Sequence, residues 1–176
     1  MALGEVRILR CGRHDAPLIA EIARATFVET YAEQTPSEDM QEHLAHAYSA
    51  EQIDAELADP ESTFFVARVG DAAAGYLKIN RGKAQTELRE PTGVEIESLY
   101  VSKRFQGYGV GRLLLDKAFD EARRAGADYV WLGVWERNAP ARRFWKRMGF
   151  VEFASHGFRF GNAEHTDLMM RRPVEA

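Results

Sequence analysis

The stretch Gln106-Gly107-Tyr108-Gly109-Val110-Gly111-Arg112 decides how this chain is read. It follows the β-rich run Val94 to Val101. It opens the segment Tyr108 to Ala125, where Val110, Leu114, Ala118 and Ala122, with Leu115 and Phe119 alongside, recur at helical spacing. Glycines in a strand-to-helix turn let backbone approach a ligand closely, and the free N–H groups of a helix N-terminus favour a phosphate. A glycine-rich turn can also be purely structural. The spacing nevertheless excludes two better-known loops. A Walker loop ends in Gly-Lys-Ser/Thr, which is missing here, and a dinucleotide fingerprint wants Gly where Arg112 stands, after the first strand of its domain.

Outward from the loop the chain reads as one α/β domain over 1–176, without repeat or linker. Glu5 to Arg10 is a first strand. Helices follow from Pro17 to Phe27, from Ser37 to Ala47 and, capped by Ser49, from Glu51 to Ala58. Thr63–Val69 and Ala74–Asn80 pair as a hairpin, and Arg81 to Pro91 is a loop. Beyond the central helix, Tyr129 to Trp135 is an apolar strand suited to burial on both faces. Asn138 caps a helix with Pro140 in its first turn, and Phe150–Phe160 with His165–Arg172 close the chain as a hairpin.

Composition narrows the function. The 176 residues include 27 acids against 23 bases, a net charge of −4, which speaks against nucleic acid or an anionic membrane as partner. The single cysteine, Cys11, excludes an internal disulfide and a cysteine-based zinc site. No apolar run reaches membrane-span length and no secretory segment opens the chain, so a cytoplasmic protein is expected. The charge is uneven. Glu29 to Glu61 holds ten acids and no Lys or Arg, which leaves the rest of the chain at +6. Such a segment is either a solvated helical face or a field that attracts a cationic substrate. His43 and His46 lack a third ligand and read as surface residues.

Gln106-x-x-Gly109-x-Gly111 resembles the pyrophosphate loop of the GNAT (Gcn5-related) N-acetyltransferases. Leu99-Tyr100-Val101 resembles the end of that family's fourth strand. Asn138 with Ala141 and Phe144, then Met148-Gly149-Phe150, resemble its late helix and the turn that closes it. The likeness implies a central, mixed, mostly antiparallel sheet of about seven strands flanked by helices, with acetyl-CoA in a splay between strands four and five. Thr26-Phe27-x-Glu29-Thr30-Tyr31, Glu38-Asp39-Met40, Gly161 and Thr166-Asp167-Leu168-x-Met170 resemble the PaiA-type polyamine N-acetyltransferases. That branch implies a small-molecule amine acceptor, a polyamine first, with Tyr31 and Glu97 at the acceptor. Acetylation of a protein or amino-acid amine is the alternative, and a non-catalytic acyl-CoA-binding regulator is the reading of another class. A homodimer is allowed.

Acyl transfer from a thioester makes four demands. N–H groups of Gln106, Gly107, Tyr108, Gly109, Val110, Gly111 and Arg112 can hold pyrophosphate. The resemblance assigns the amide-like pantetheine arm to the backbone of Tyr100 and Val101, beside Leu99, and places Asn138 and Trp145 on the cofactor side. A backbone donor, the Val101 N–H, suits the oxygen that gains charge. The amine, with a pKa near about 10 in water, must lose a proton before it attacks. Glu95 and Glu97 are the candidate bases, on one side of a regular strand with Ile96, Ser98 and Tyr100 on the other. Glu95 matches the family's β4 glutamate. Many members carry a Tyr, where this chain has Trp145, to protonate the leaving thiolate. An indole does not usefully ionise, so the acid passes to Tyr31, Tyr100 or Tyr108. Cys11, far from the loop, does not suit an acyl-enzyme, and direct transfer in a ternary complex is expected.

Overall fold

The computed structural model describes residues 3–175. In chain order these form β1 (Val6–Arg10), α1 (Ala16–Tyr31), α2 (Ser37–Ala47), α3 (Ala50–Ala58), β2 (Ser62–Val69), β3 (Ala72–Asn80) and β4 (Gly93–Val101). Then come α4 (Val110–Arg124), β5 (Tyr129–Trp135), α5 (Ala139–Arg147), β6 (Val151–Phe160) and β7 (Ala163–Pro173). The strands make one seven-stranded sheet in the order β1-β2-β3-β4-β5-β7-β6. β4 and β5 are parallel and all other neighbours antiparallel. A parallel pair needs a crossover, and α4 supplies it.

Alternation along the strands sends neighbouring side chains to opposite faces. Phe65, Leu77, Ile79, Val94, Ile96, Leu132 and Met170 pack beneath α4 and α5. Phe64, Val66 and Tyr76 pack on the other face against Ile19, Ala20 and Ala23 of α1 and Ile53 of α3. α4 buries Leu114, Leu115 and Phe119 almost completely, and each such burial is worth roughly 1.5–3 kcal/mol. That anchorage fixes the start of α4 without help from the glycine loop in front of it. No helix among the described residues is long and apolar enough to cross a membrane.

Candidate active site

β4 and β5 pair from Gly93 opposite Tyr129 to Ile96 opposite Leu132 and no further, although both strands continue. They part because β4 carries a bulge. Against β3 the register steps from Ser98 opposite Lys78 to Ile96 opposite Ile79, leaving Glu97 unopposed. A bulge bends its strand and sharpens the twist, which carries the end of β4 away from β5.

The bulge also resets the faces. A regular strand would put Ser98 and Tyr100 opposite Glu95 and Glu97, and this expectation fails. The Asn80 amide donates to Glu95 at 3.0 Å and to Glu97 at 3.2 Å, Ser98 lies beside the Tyr76 hydroxyl, and the Tyr100 hydroxyl lies 3.1 Å from that of Tyr31. All of these sit on the α1 face, while Leu99 and Val101 pack under α4. Backbone direction follows the same ladder. The Ser102 N–H donates to the Ala74 carbonyl at 2.9 Å, so by antiparallel alternation Tyr100 also commits its N–H and C=O to β3. A Cβ on Gly75 would lie 2.5 Å from the Tyr100 carbonyl oxygen, which sets that oxygen on the β3 side. The backbone groups of β4 left facing the splay are therefore those of Leu99 and Val101, while the Tyr100 backbone is committed to β3. The Val101 carbonyl already accepts from Gln106 Nε2 at 3.0 Å, and its N–H faces the splay.

Beyond β4 the chain makes a short helical turn over Lys103–Phe105 before the glycine loop. Gly107 and Gly109 have φ of 85° and 83°, a left-handed backbone that costs an L side chain roughly 1–2 kcal/mol. A Cβ at either position would meet no described atom within 4 Å, so conformation demands glycine here and the space in front of the loop is open. α4 consequently starts at Val110, two residues later than the periodicity suggests. No side chain caps it, and its first i to i−4 bond runs from Leu113 N–H to Gly109 at 3.2 Å. The N–H groups ahead of Leu113 lack helical partners, as an anion site requires. Gly111 tucks the loop inward, its Cβ position 3.5 Å from Phe144 and 3.7 Å from Val101. Arg112 is exposed and Tyr108 half-exposed. An open phosphate cradle followed by an unpaired strand edge fits coenzyme A.

On the α1 face the splay opens into a cleft of about 330 Å³. Its floor on β5 is Gly133, with Trp131 at one end; outside the lining, Trp135 packs against Tyr31 with ring centroids 5.7 Å apart. Glu95 and Glu97 form one wall. Asp167 and Met169 of β7 with His156 and Phe158 of β6 form the other, and Thr86 and Glu87 close an end. The lining holds four carboxylates and, among the described residues, no lysine or arginine.

Glu95 is buried and well held. Its Oε1 accepts from Asn80 and, at 2.8 Å, from the Thr86 N–H, while Oε2 accepts from the Thr86 hydroxyl. Burial nevertheless pushes its carboxyl above the ordinary value, against these donors. Glu97 is more exposed and accepts from Lys78 at 2.7 Å. Lys78, itself buried, also pairs with Glu56. Burial raises the Tyr31 and Tyr100 hydroxyls, so both hold their protons at neutral pH. These two meet at the splay, whereas Tyr108 faces solvent on the glycine loop.

At the start of α5 Asn138 accepts from the Ala141 N–H at 3.3 Å and lies near the Tyr31 hydroxyl. Trp145 lies in the core, its ring against Phe144 at 5.0 Å and Phe150 at 5.1 Å. Phe144 is the side chain that α5 lays on the glycine loop. The acids of Glu29 to Glu61 contribute nothing to the lining of this cleft. Asp54 is paired with Arg13, Glu56 with Lys78, and Glu29 accepts from the Lys103 N–H. His43 is not a surface residue but lies between Phe27, 4.5 Å away, and Phe160, 4.9 Å away. Burial pushes the Cys11 thiol up to about 12, which leaves it a poor nucleophile. Thr86, Asn80, Trp131, Gly133 and Trp135 carry no local motif. Asp167 stands in the terminal Thr-Asp-Leu stretch, which the sequence marks only through the family resemblance and with no role in the site.

The model of the acetyltransferase (GNAT) family matches residues 19–150. An uncharacterized N-acetyltransferase of Lactobacillus delbrueckii subsp. lactis is 34% identical over 169 residues, 96% of this chain and 98% of that one. The PaiA N-acetyltransferase of Thermoplasma acidophilum, solved with coenzyme A, shares the fold with a TM-score of 0.79 at 19% identity, covering 96% of this chain and 99% of that chain. A putative acetyltransferase of Salmonella typhimurium, solved with acetyl-CoA, superposes with a TM-score of 0.67 at 25% identity over 98% and 96% of the two chains.

Proposed function

Since this chain belongs to the acetyltransferase (GNAT) family and takes acetyl-CoA as its donor, we propose that it acetylates a small polycationic amine, a polyamine first, by direct transfer in a ternary complex. The observation that carries this reading is the cleft beside the splay, walled by Glu87, Glu95, Glu97 and Asp167 with no lysine or arginine in its lining. Acetyl-CoA supplies an activated thioester. The N–H groups from Gly107 to Arg112 hold its phosphates, Leu99 and Val101 present a free strand edge to its amides, and the Val101 N–H serves the acyl oxygen. Glu95 takes the proton of the incoming ammonium at its carboxylate, which burial makes more basic.

The test is thiol release with spermidine, 1,4-diaminobutane, 1-aminobutane, an amino acid and a peptide amine. Spermidine should give the highest kcat/KM, and its advantage over 1-aminobutane should shrink as salt rises, because screening weakens attraction into an acidic cleft. A higher kcat/KM for the peptide or amino acid would move the acceptor to that class. Equal salt dependence for spermidine and 1-aminobutane would remove the cleft's field from the account.

The Tyr31–Tyr100 pair takes the acid role left open by Trp145. Tyr31→Phe and Tyr100→Phe should each lower kcat by about tenfold, less than the roughly 10²- to 10⁴-fold usual for acid catalysis because a thiolate leaves readily. The double variant should lose little more than either single one, since paired groups are not additive. Full additivity, or a larger loss in Tyr108→Phe, would break the pair as a unit.

A further inference from the structure

Three of the four carboxylates in the acceptor cleft are supplied with partners by the protein. Glu95 has Thr86 and Asn80, Glu97 has Lys78 and Asn80, and Glu87 lies 3.2 Å from the His156 imidazole. Asp167 has no hydrogen-bond or ion-pair partner among the described residues. It is half-buried, opposite Trp135 on β5 and His156 on β6. Its carboxylate hangs over the cleft floor, where a Cβ on Gly133 would lie 3.3 Å from Oδ2. Gly133 is the first β5 residue past the last pair with β4, so Asp167 stands at the mouth of the splay. Burial raises its carboxyl, opposed by the neighbouring imidazoles of His156 and His165.

A half-buried carboxylate to which the protein gives no donor has lost part of its solvation, and a bound cation can restore it. The reacting nitrogen cannot be that cation throughout, because it must be neutral when it attacks. A second nitrogen, which stays charged, can. We propose that Asp167 anchors the acceptor by holding a second ammonium group across Gly133 from Glu95, and so makes the cleft prefer a diamine to a monoamine. The proposal rests on the amine-acceptor reading above and adds the residue that sets its chain-borne charge requirement.

The experiment compares 1,4-diaminobutane with 1-aminobutane on wild type, Asp167→Asn and Asp167→Glu. Circular dichroism and acetyl-CoA affinity confirm that each variant is folded and loaded. Asp167→Asn should shrink the ratio of kcat/KM between diamine and monoamine by roughly 10- to 100-fold, the range of one charge-assisted hydrogen bond, through KM, and Asp167→Glu should restore part of it. The same fall for both amines would overturn the anchor and make Asp167 a base or a packing residue. An unchanged ratio would overturn it as well. Calorimetry of 1,4-diaminobutane with coenzyme A-loaded protein separates this from the acceptor reading. Asp167-dependent binding without turnover keeps the anchor and refutes polyamine acetylation. Turnover with an Asp167-independent kcat/KM keeps the acetylation and refutes the anchor.

Discussion

Gly109→Glu should abolish coenzyme A binding, with affinity reduced by at least about 10²-fold, while the protein stays folded. Two effects add. Position 109 has φ of 83°, so any side chain there is strained by roughly 1–2 kcal/mol. The new carboxylate also projects into open space in front of the α4 N-terminus, where it competes with phosphate for the free N–H groups and repels it. The fold tolerates the change because α4 is held by its buried stripe, and the strain should lower Tm by only a few degrees in a domain of this size. Gly109→Ala separates the two effects, since it keeps the strain and adds no charge. It should cost far less affinity than Glu. Calorimetry on the two variants, with circular dichroism for folding, gives the answer. Unchanged coenzyme A affinity in folded Gly109→Glu would take the loop out of the donor site.

The glycine loop was legible because its chemistry is local: left-handed backbone at Gly107 and Gly109 selects the residue itself. Element order was legible for the same reason, through periodicity and through caps such as Ser49 and Asn138, both of which accept from the first turn they precede. What failed depends on pairing. Nothing within Val94–Val101 reveals that Glu97 is skipped by β3, yet that single skip moves Ser98 and Tyr100 across the sheet and opens the splay. The face reading assumed a regular strand, and one bulge reverses every residue after it. The acidic segment left two readings open, a solvated face or a field, and charge counted along the chain could not place it: none of its acids lines the cleft, and Asp54, Glu56 and Glu29 meet Arg13, Lys78 and the Lys103 N–H from elsewhere. The cleft's own carboxylates are scattered over 80 residues and form a set only when β4, β5 and β7 lie side by side.

Glu95→Gln should lower kcat/KM at neutral pH by roughly 10²-fold or more, the usual span for a positioned base. Glutamine can keep the bonds from Asn80 and the Thr86 N–H on its oxygen and meet the Thr86 hydroxyl with its amide, so the site should stay assembled. The pH profile carries the decisive sign. A carboxyl raised by burial is protonated at low pH and cannot accept, so wild-type kcat/KM should fall as pH drops through a value above the ordinary carboxylate range. The variant should lack that limb. At the other end, an acceptor amine with a pKa near about 10 is increasingly neutral as pH rises, and a neutral amine needs no base. The deficit of Glu95→Gln should therefore narrow steadily toward pH 10. A deficit that stays constant with pH would make Glu95 a structural or electrostatic support. A deficit below about threefold at neutral pH, far short of the span expected for a base, would pass the proton to Glu97 or Asp167, the other carboxylates that flank Gly133 where the strands part.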